Sequence, residues 1–275
     1  MALTKVRGSG LDSSQEGAIT FNEGSADVDF RVESNGNTHA LFVDAGNDKV
    51  GVGTSSPDGA LHVKGISDHG RIVLESGGTS GSDNNMFMQF HNGGGTEIAQ
   101  IEIGEGASNE GQIAFKTGGT TTAMTIDKDG HITKPLQSAF LAHTSTTRYN
   151  LAINNDHTLI LDTERFDQNS DYNNSNYRFT APVTGKYQFN LTVYMNQVPT
   201  NASYIQTYIV TSNRVYYAIV DTEAYDASHS FFTLNHSVLA DMDANDTCHS
   251  LINQGGGTVQ LDYTSDTHLS GFLVC

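Results

Sequence analysis

The sequence predicts an all-β protein, and three observations carry that prediction. The first is composition. The 275 residues include 28 Gly, 11 Tyr and 13 Phe, with four Pro and no Trp, the profile of short strands joined by glycine-bearing turns. The second is alternation: Tyr187, Phe189, Leu191 and Val193 interleave with Lys186, Gln188, Asn190 and Thr192, a period of two with one apolar face and one wet face. The third is repetition. Phe30-Arg31-Val32-Glu33-Ser34-Asn35-Gly36 recurs as Ile72-Val73-Leu74-Glu75-Ser76-Gly77-Gly78 and again as Ile113-Ala114-Phe115-Lys116-Thr117-Gly118-Gly119. The copies lie about 40 residues apart, a spacing typical of repeat architectures.

Taken in order, the chain divides into residues 1–25, 26–134 and 135–275. The first segment is polar and glycine-rich, with one short apolar run at Ala18–Phe21; such segments order on docking to a partner. In the second, the first and third copies align onward without a gap, Ala40-Leu41-Phe42-Val43-Asp44 against Ala123-Met124-Thr125-Ile126-Asp127. A polar turn follows each, then Lys49–Val52 or His131–Thr133. Each copy reads as a hairpin or meander too small to offset its own chain entropy. Copies stacked together, or contributed by three intertwined chains, bury enough.

In the third segment the alternation places strands at Gln137–His143, Thr158–Asp162, Asn176–Thr180, Lys186–Met195, Tyr204–Val210, Val215–Val220, Phe231–Ala240, Thr247–Ile252, Thr258–Asp262 and Leu269–Val274. Pro182 ends pairing after Phe179, and Gly185 is expected to supply the backbone conformation of a tight corner.

Asp167, Tyr172 and Phe179 fall at set distances from Gly185, Tyr187 and Phe189. That spacing resembles the signature of the C1q-like globular head, a relative of the tumour-necrosis-factor jelly roll. Leu161 and Leu191 stand where that family usually has an aromatic residue. Ala139–Ala142 resembles its opening strand, and Leu269–Val274, with Gly271 and Phe272, its closing strand. The resemblance covers about Pro135 to Cys275. Upstream, Ala2-Leu3-Thr4-Lys5-Val6 is similar to the start of phage tail-fibre attachment segments. Val50–Pro57 with Leu61–Val63, and Ala123–Ile132, resemble fibre-shaft phrases that build slender trimeric β-shafts. Together these imply an elongated trimeric β-hairpin or β-prism shaft followed by a jelly-roll head, with Lys134-Pro135 at the junction.

The net charge of −17 provides no basic stripe for nucleic acid and opposes binding to an anionic membrane surface. No apolar run of about 18 residues spans a bilayer, and Met1–Arg7 lacks the apolar segment of a secretory signal. The two cysteines, Cys248 and Cys275, are too few for a disulfide framework and read as free thiols. The family's strand order implies that their strands share one sheet without being adjacent.

Several stretches invite chemical readings. Gly51-Val52-Gly53-Thr54 lacks the Lys-Ser/Thr and the helix of a phosphate loop. Asp127-Lys128-Asp129-Gly130 begins like a calcium loop without the twelfth-position Glu, and a hairpin turn explains it. The loop Asp167–Asn174 is dense in oxygen ligands, with Asp167, Asn169 and Asp171 as metal candidates, calcium being the ion that some C1q-like heads hold. The competing reading is a loop whose side chains cap its own turns. Asp241–Asp246 has the same two readings. The eleven histidines show no paired metal spacing. Tyr172, Asn173, Tyr216, Tyr225 and His229, with Tyr217 and Phe231, are candidates for stacking and hydrogen bonding on sugar rings. Residues of these types also fill subunit interfaces.

The resulting expectation is a homotrimeric, non-enzymatic phage fibre protein located on the virion. Its N-terminus would join other virion proteins, and its head would act as an adhesin for a host-surface receptor, a glycan above all, without cofactor or membrane insertion. The alternatives are a purely structural fibre or spike, a polysaccharide depolymerase with a carboxylate pair, and a secreted cellular lectin.

Overall fold

The computed structural model describes residues 24–65, 72–75, 85–104 and 111–275. The segment 1–23, the core of the expected attachment region, lies outside the described residues. All described regular structure is strand, and the chain falls into two compact units, Met1–Ser76 and Gly77–Cys275.

In the first unit, β1 (Phe30–Val32), β2 (Leu41–Asp44) and β3 (Lys49–Val52) form an antiparallel meander. β4 (Leu61–Val63) adds in parallel to β3, a crossover that a meander does not have. Gly53 makes this possible. Its φ is +79°, and a Cβ there would collide with the Lys64 carbonyl, so any other residue is excluded twice.

In the second unit, β5 (Met86–His91), β6 (Glu97–Gly104), β7 (Gln112–Thr117), β8 (Thr121–Ile126) and β9 (Ile132–Thr133) form an antiparallel sheet in chain order. The first and third sequence copies fold alike. Phe30 pairs with Val43 as Ile113 pairs with Ile126, and β9 follows β8 as β3 follows β2. The turns match as well: the Asp44 Oδ1 accepts from the Asn47 N–H, and the Asp127 Oδ1 accepts from the Asp129 and His131 N–H groups. The middle copy departs from this pattern. Ile72–Glu75 is exposed and forms no strand among the described residues; Ser76–Gly78 lies outside the described residues.

Each repeat sheet has one predominantly apolar face. The registers put Phe30, Val32, Leu41, Val43, Val50, Val52, Leu61 and Val63 on the same side of the first. On the second, one side combines Met86, Met88 and Phe90 with Ile101, Ile103, Ile113, Phe115, Met124, Ile126 and Ile132. None of these side chains is buried. The opposite side of the second sheet is mixed: Phe87 and Ala114 flank Glu102, which pairs with Lys116 and accepts from the Asn85 amide.

The remaining strands make a two-layer sandwich. One sheet runs β12 (Thr163–Asp167), β10 (Ala139–His143), β21 (His268–Leu273), β15 (Gly185–Val198), β18 (His229–Met242), with β20 (Asp262–Tyr263) on β15. The other runs β13 (Tyr172–Asn173), β14 (Arg178–Thr180), β19 (Thr247–Gly255), β16 (Tyr204–Thr211), β17 (Val215–Val220), with β11 (His157–Thr158) on β19. Cys248 therefore sits in the sheet opposite the closing strand, not in the same one. Both thiols are free, Cys248 buried and Cys275 exposed. Burial pushes the Cys248 thiol up, so it stays protonated.

The expected alternation holds along β15, where every second residue from Tyr187 to Met195 is buried. Phe140, Tyr172, Phe179, Tyr187 and Phe189 converge from both sheets, with Phe140 stacked on Tyr172 at 5.0 Å and on Phe179 at 5.1 Å between ring centres. Leu161 and Leu191 fill the same core. Gly271 lies beneath these rings, where a Cβ would come within 2.6 Å of Phe189 and 2.8 Å of Phe140.

Three expectations are corrected here. Gly185 is not a left-handed corner but the first residue of β15. It is glycine because a Cβ would meet the Cys275 carbonyl at 2.6 Å. Residues 159–162 form no strand; pairing passes to Thr163–Asp167, while Leu159 and Leu161 plug the core. Thr258–Leu261 forms none either, since the Gln254 side chain takes up the Val259 carbonyl and the Leu261 N–H. Among the described residues no helix is long and apolar enough to cross a membrane.

One half-buried pair gives the sandwich a pH dependence. Arg178 Nη1 lies 3.0 Å from His249 Nδ1 and donates to it, so that nitrogen is unprotonated. Burial, then the Arg178 charge, brings the ring from 6.5 down to about 4. Below pH 6.5 the unfolded chain takes up a proton that the folded chain refuses, so stability falls as pH drops through that window. The melting temperature should fall between pH 7 and pH 4.5, and His249→Gln should reduce the fall. An equal fall in the variant would contradict the assignment.

Candidate functional site

The sandwich has two ends, and strand directions distinguish them. The Leu273 N–H bonds the Ser138 carbonyl and the Lys186 N–H the Cys275 carbonyl, so the head's first strand, its last strand and the start of β15 share one end. β15 then runs 14 residues to Val198, at about 3.3 Å per residue a span of roughly 40 Å. The far end is built where β15 stops and β18 begins, with Val198 opposite His229.

The candidate metal residues belong to the near end. The Gln168 side chain bonds the Lys134 and Gln137 carbonyls, which fixes the 167–174 loop beside Ala139. Its acids serve the loop itself. Asp167 accepts from the Asp171 and Tyr172 N–H groups, and Asp171 accepts from the Asn169 amide and the Ser138 hydroxyl. Asp246 likewise accepts from the Asp243 N–H and the Asn213 amide. Among the described residues one cluster has metal-like spacing, Asp127, Asp129 and His131, all exposed. Its carboxylates already cap the β8–β9 turn or pair with His131 and Lys128, which is turn chemistry.

The receptor candidates separate. Tyr172 is a core residue, its hydroxyl donating to the Leu161 carbonyl at 2.9 Å, so it has no surface to offer. Asn173 is exposed at the near end, accepting from the Ser175 N–H. Tyr216 packs against the core. Tyr217 is exposed on the outer face beside Tyr208. Tyr225 and His229 do meet, ring centres 4.7 Å apart, and both adjoin Phe232. They stand at the far end together with Phe231.

A cleft opens there, about 510 Å³ in volume, with Tyr149 and Phe231 among its walls and Asn196, Gln197, His229 and Asp262 below. Four of these six residues (Tyr149, Asn196, Gln197, Asp262) escaped the sequence reading. Asp262 organises the site: its Oδ1 accepts from the Asn150 N–H at 2.8 Å and its Oδ2 from the Gln197 amide at 2.8 Å. Tyr149 is held between that contact and the Arg148–Tyr263 bridge. Arg148 is itself anchored on Asp162 at 2.8 Å. Burial would raise the Asp162 carboxyl, but hydrogen bonds from Ser145 and the Arg148 charge bring it below its ordinary value.

Two antiparallel sheets in this order, closed over one aromatic core, define a jelly-roll sandwich of the tumour-necrosis-factor-like class. Residues 139–274 match the family described as "C1q domain", and that segment is a C1q domain. Among solved structures, the globular domain of zebrafish complement 1qA is 14% identical, with a TM-score of 0.38 over 50% of this chain and 98% of that one. Murine APRIL is 10% identical, with a TM-score of 0.39 over 50% and 99%. Eiger TNF from S. frugiperda is 9% identical, with a TM-score of 0.37 over 51% and 92%. No curated protein matches.

Proposed function

We propose that the protein is a homotrimeric phage-type fibre: an N-terminal virion anchor, a shaft made of the repeat sheets, and the C1q domain as a head that binds a host-surface glycan without cleaving it. The observation that carries the reading is the open apolar face on each repeat sheet. A single chain leaves Met88, Phe90 and Ile132 in water on one sheet and Val32 and Leu61 on the other. Three chains that turn these faces inward bury them all, and the matching registers of the two copies let one packing rule serve both sheets. A C1q domain at the C-terminal end suits the same three-fold symmetry, since domains of this class are typically trimeric. Three equal heads then convert weak single sites into strong attachment.

The first 25 residues are the anchor in this reading. Deleting them should leave a folded trimer that no longer joins particles; normal incorporation of the truncated chain would refute the assignment. For the head, labelled full-length protein should adsorb to cells that the virus infects, compete with infection and release no oligosaccharide. Absence of competition at saturating concentration points to a purely structural fibre, and released sugar ends point to a depolymerase.

A further inference from the structure

We propose that the cleft between Tyr149 and Phe231 is a binding site for one neutral pyranose residue; this rests on reading the head as the attachment domain. Its volume of about 510 Å³ falls within the roughly 300–1,000 Å³ of small-molecule sites. Both rings are exposed where a folded core would hide them, Tyr149 at 67% and Phe231 at 64%. An aromatic face is electron-rich and receives the C–H groups on one side of a sugar ring.

The floor is polar, and Gln197 and Asp262 in it are tied to each other. The register puts Asn196 opposite both Phe231 and Asp262, so the stacking wall and the carboxylate flank one amide. Gln197 has a φ of +57°, a conformation that a non-glycine residue keeps only when its surroundings enforce it. Here its amide is tied to Asp262. Asn196 Oδ1 and His229 Nδ1 are covered and have no hydrogen-bond partner. A small rotation of either side chain brings that atom to a ligand hydroxyl and relieves the cost of leaving it unpaired. Asp262 is buried and acts by holding the Gln197 amide and the Asn150 N–H in place. No Lys or Arg lines the cleft, so a uronic acid, a sialic acid or a phosphate meets a carboxylate and no counter-charge.

The test uses the full-length protein on columns bearing glucose, galactose, mannose, N-acetylglucosamine or N-acetylneuraminic acid, with adsorption to infectible cells measured in parallel. The site requires retention on at least one neutral sugar and none on the acid. Tyr149→Ala and Asn196→Ala should each weaken that retention at least tenfold at unchanged mass and melting temperature, while Asn173→Ala, at the opposite end, should leave it intact. No retention on any neutral sugar, or retention that both cleft variants keep, overturns the site. Cell adsorption that survives both variants overturns the site and leaves the attachment reading standing. Sugar retention without cell adsorption upholds the site and overturns the attachment reading.

Discussion

Phe189→Ala should lower the stability of the head by about 3–5 kcal/mol, the usual loss for truncating a large core aromatic. The ring is fully buried. It lies 5.6 Å from Phe179 and 6.5 Å from Phe140 between centres, and it covers the glycine step at Gly271. Truncation leaves a hole bounded by both sheets, and neither sheet can close it without breaking its ladder. The head's thermal transition should drop while that of the repeat region stays in place. A head transition unchanged within error would mean that the inner face of β15 has been assigned to the wrong side.

Phe115→Asp should have a comparable effect in the repeat region by a different route. Phe115 is flanked by Ile101 on β6 and Met124 on β8, in the middle of the apolar face. If three such faces meet, the substitution introduces three carboxylates into one apolar interior, each costing several kcal/mol. Protease should then cut the repeat region under conditions in which the parent chain resists, with the head's transition unmoved. Thr125→Asp, on the opposite side of the sheet, is the control and should behave like the parent. Equal resistance of the Phe115 variant would show that the face stays in water.

How far the sequence could be read follows from how local each signal is. The β15 pattern was legible because alternation is a property of adjacent residues, and Tyr187, Phe189 and Leu191 point inward as their period requires. The first repeat was legible as a hairpin or meander because a second copy repeats its segments, while its register, Phe30 opposite Val43, came only with the fold. Gly185 and Gly271 belong to the spacing that the sequence displays, but the constraint on Gly185 comes from the Cys275 carbonyl, 90 residues away in sequence, and no local signal carries it. Tyr172 sits in an Asn/Asp-rich loop, a setting that in sequence alone signals a surface ring. The loop turns it into the core, where Leu161 takes its hydroxyl and burial pushes the phenol up. The far-end cleft was the least legible. Tyr149, Asn196 and Asp262 are brought together only by strand order, and nothing in the neighbourhood of each residue announces the other two.

If three chains close their apolar faces on one another, the mass in solution must show it. Light scattering on the purified full-length protein at micromolar concentration should give about three times the chain mass of 29.6 kDa. A stable species of one chain mass at that concentration would rule out the trimer, because the face carrying Met88, Phe90 and Ile132 would then stay in water.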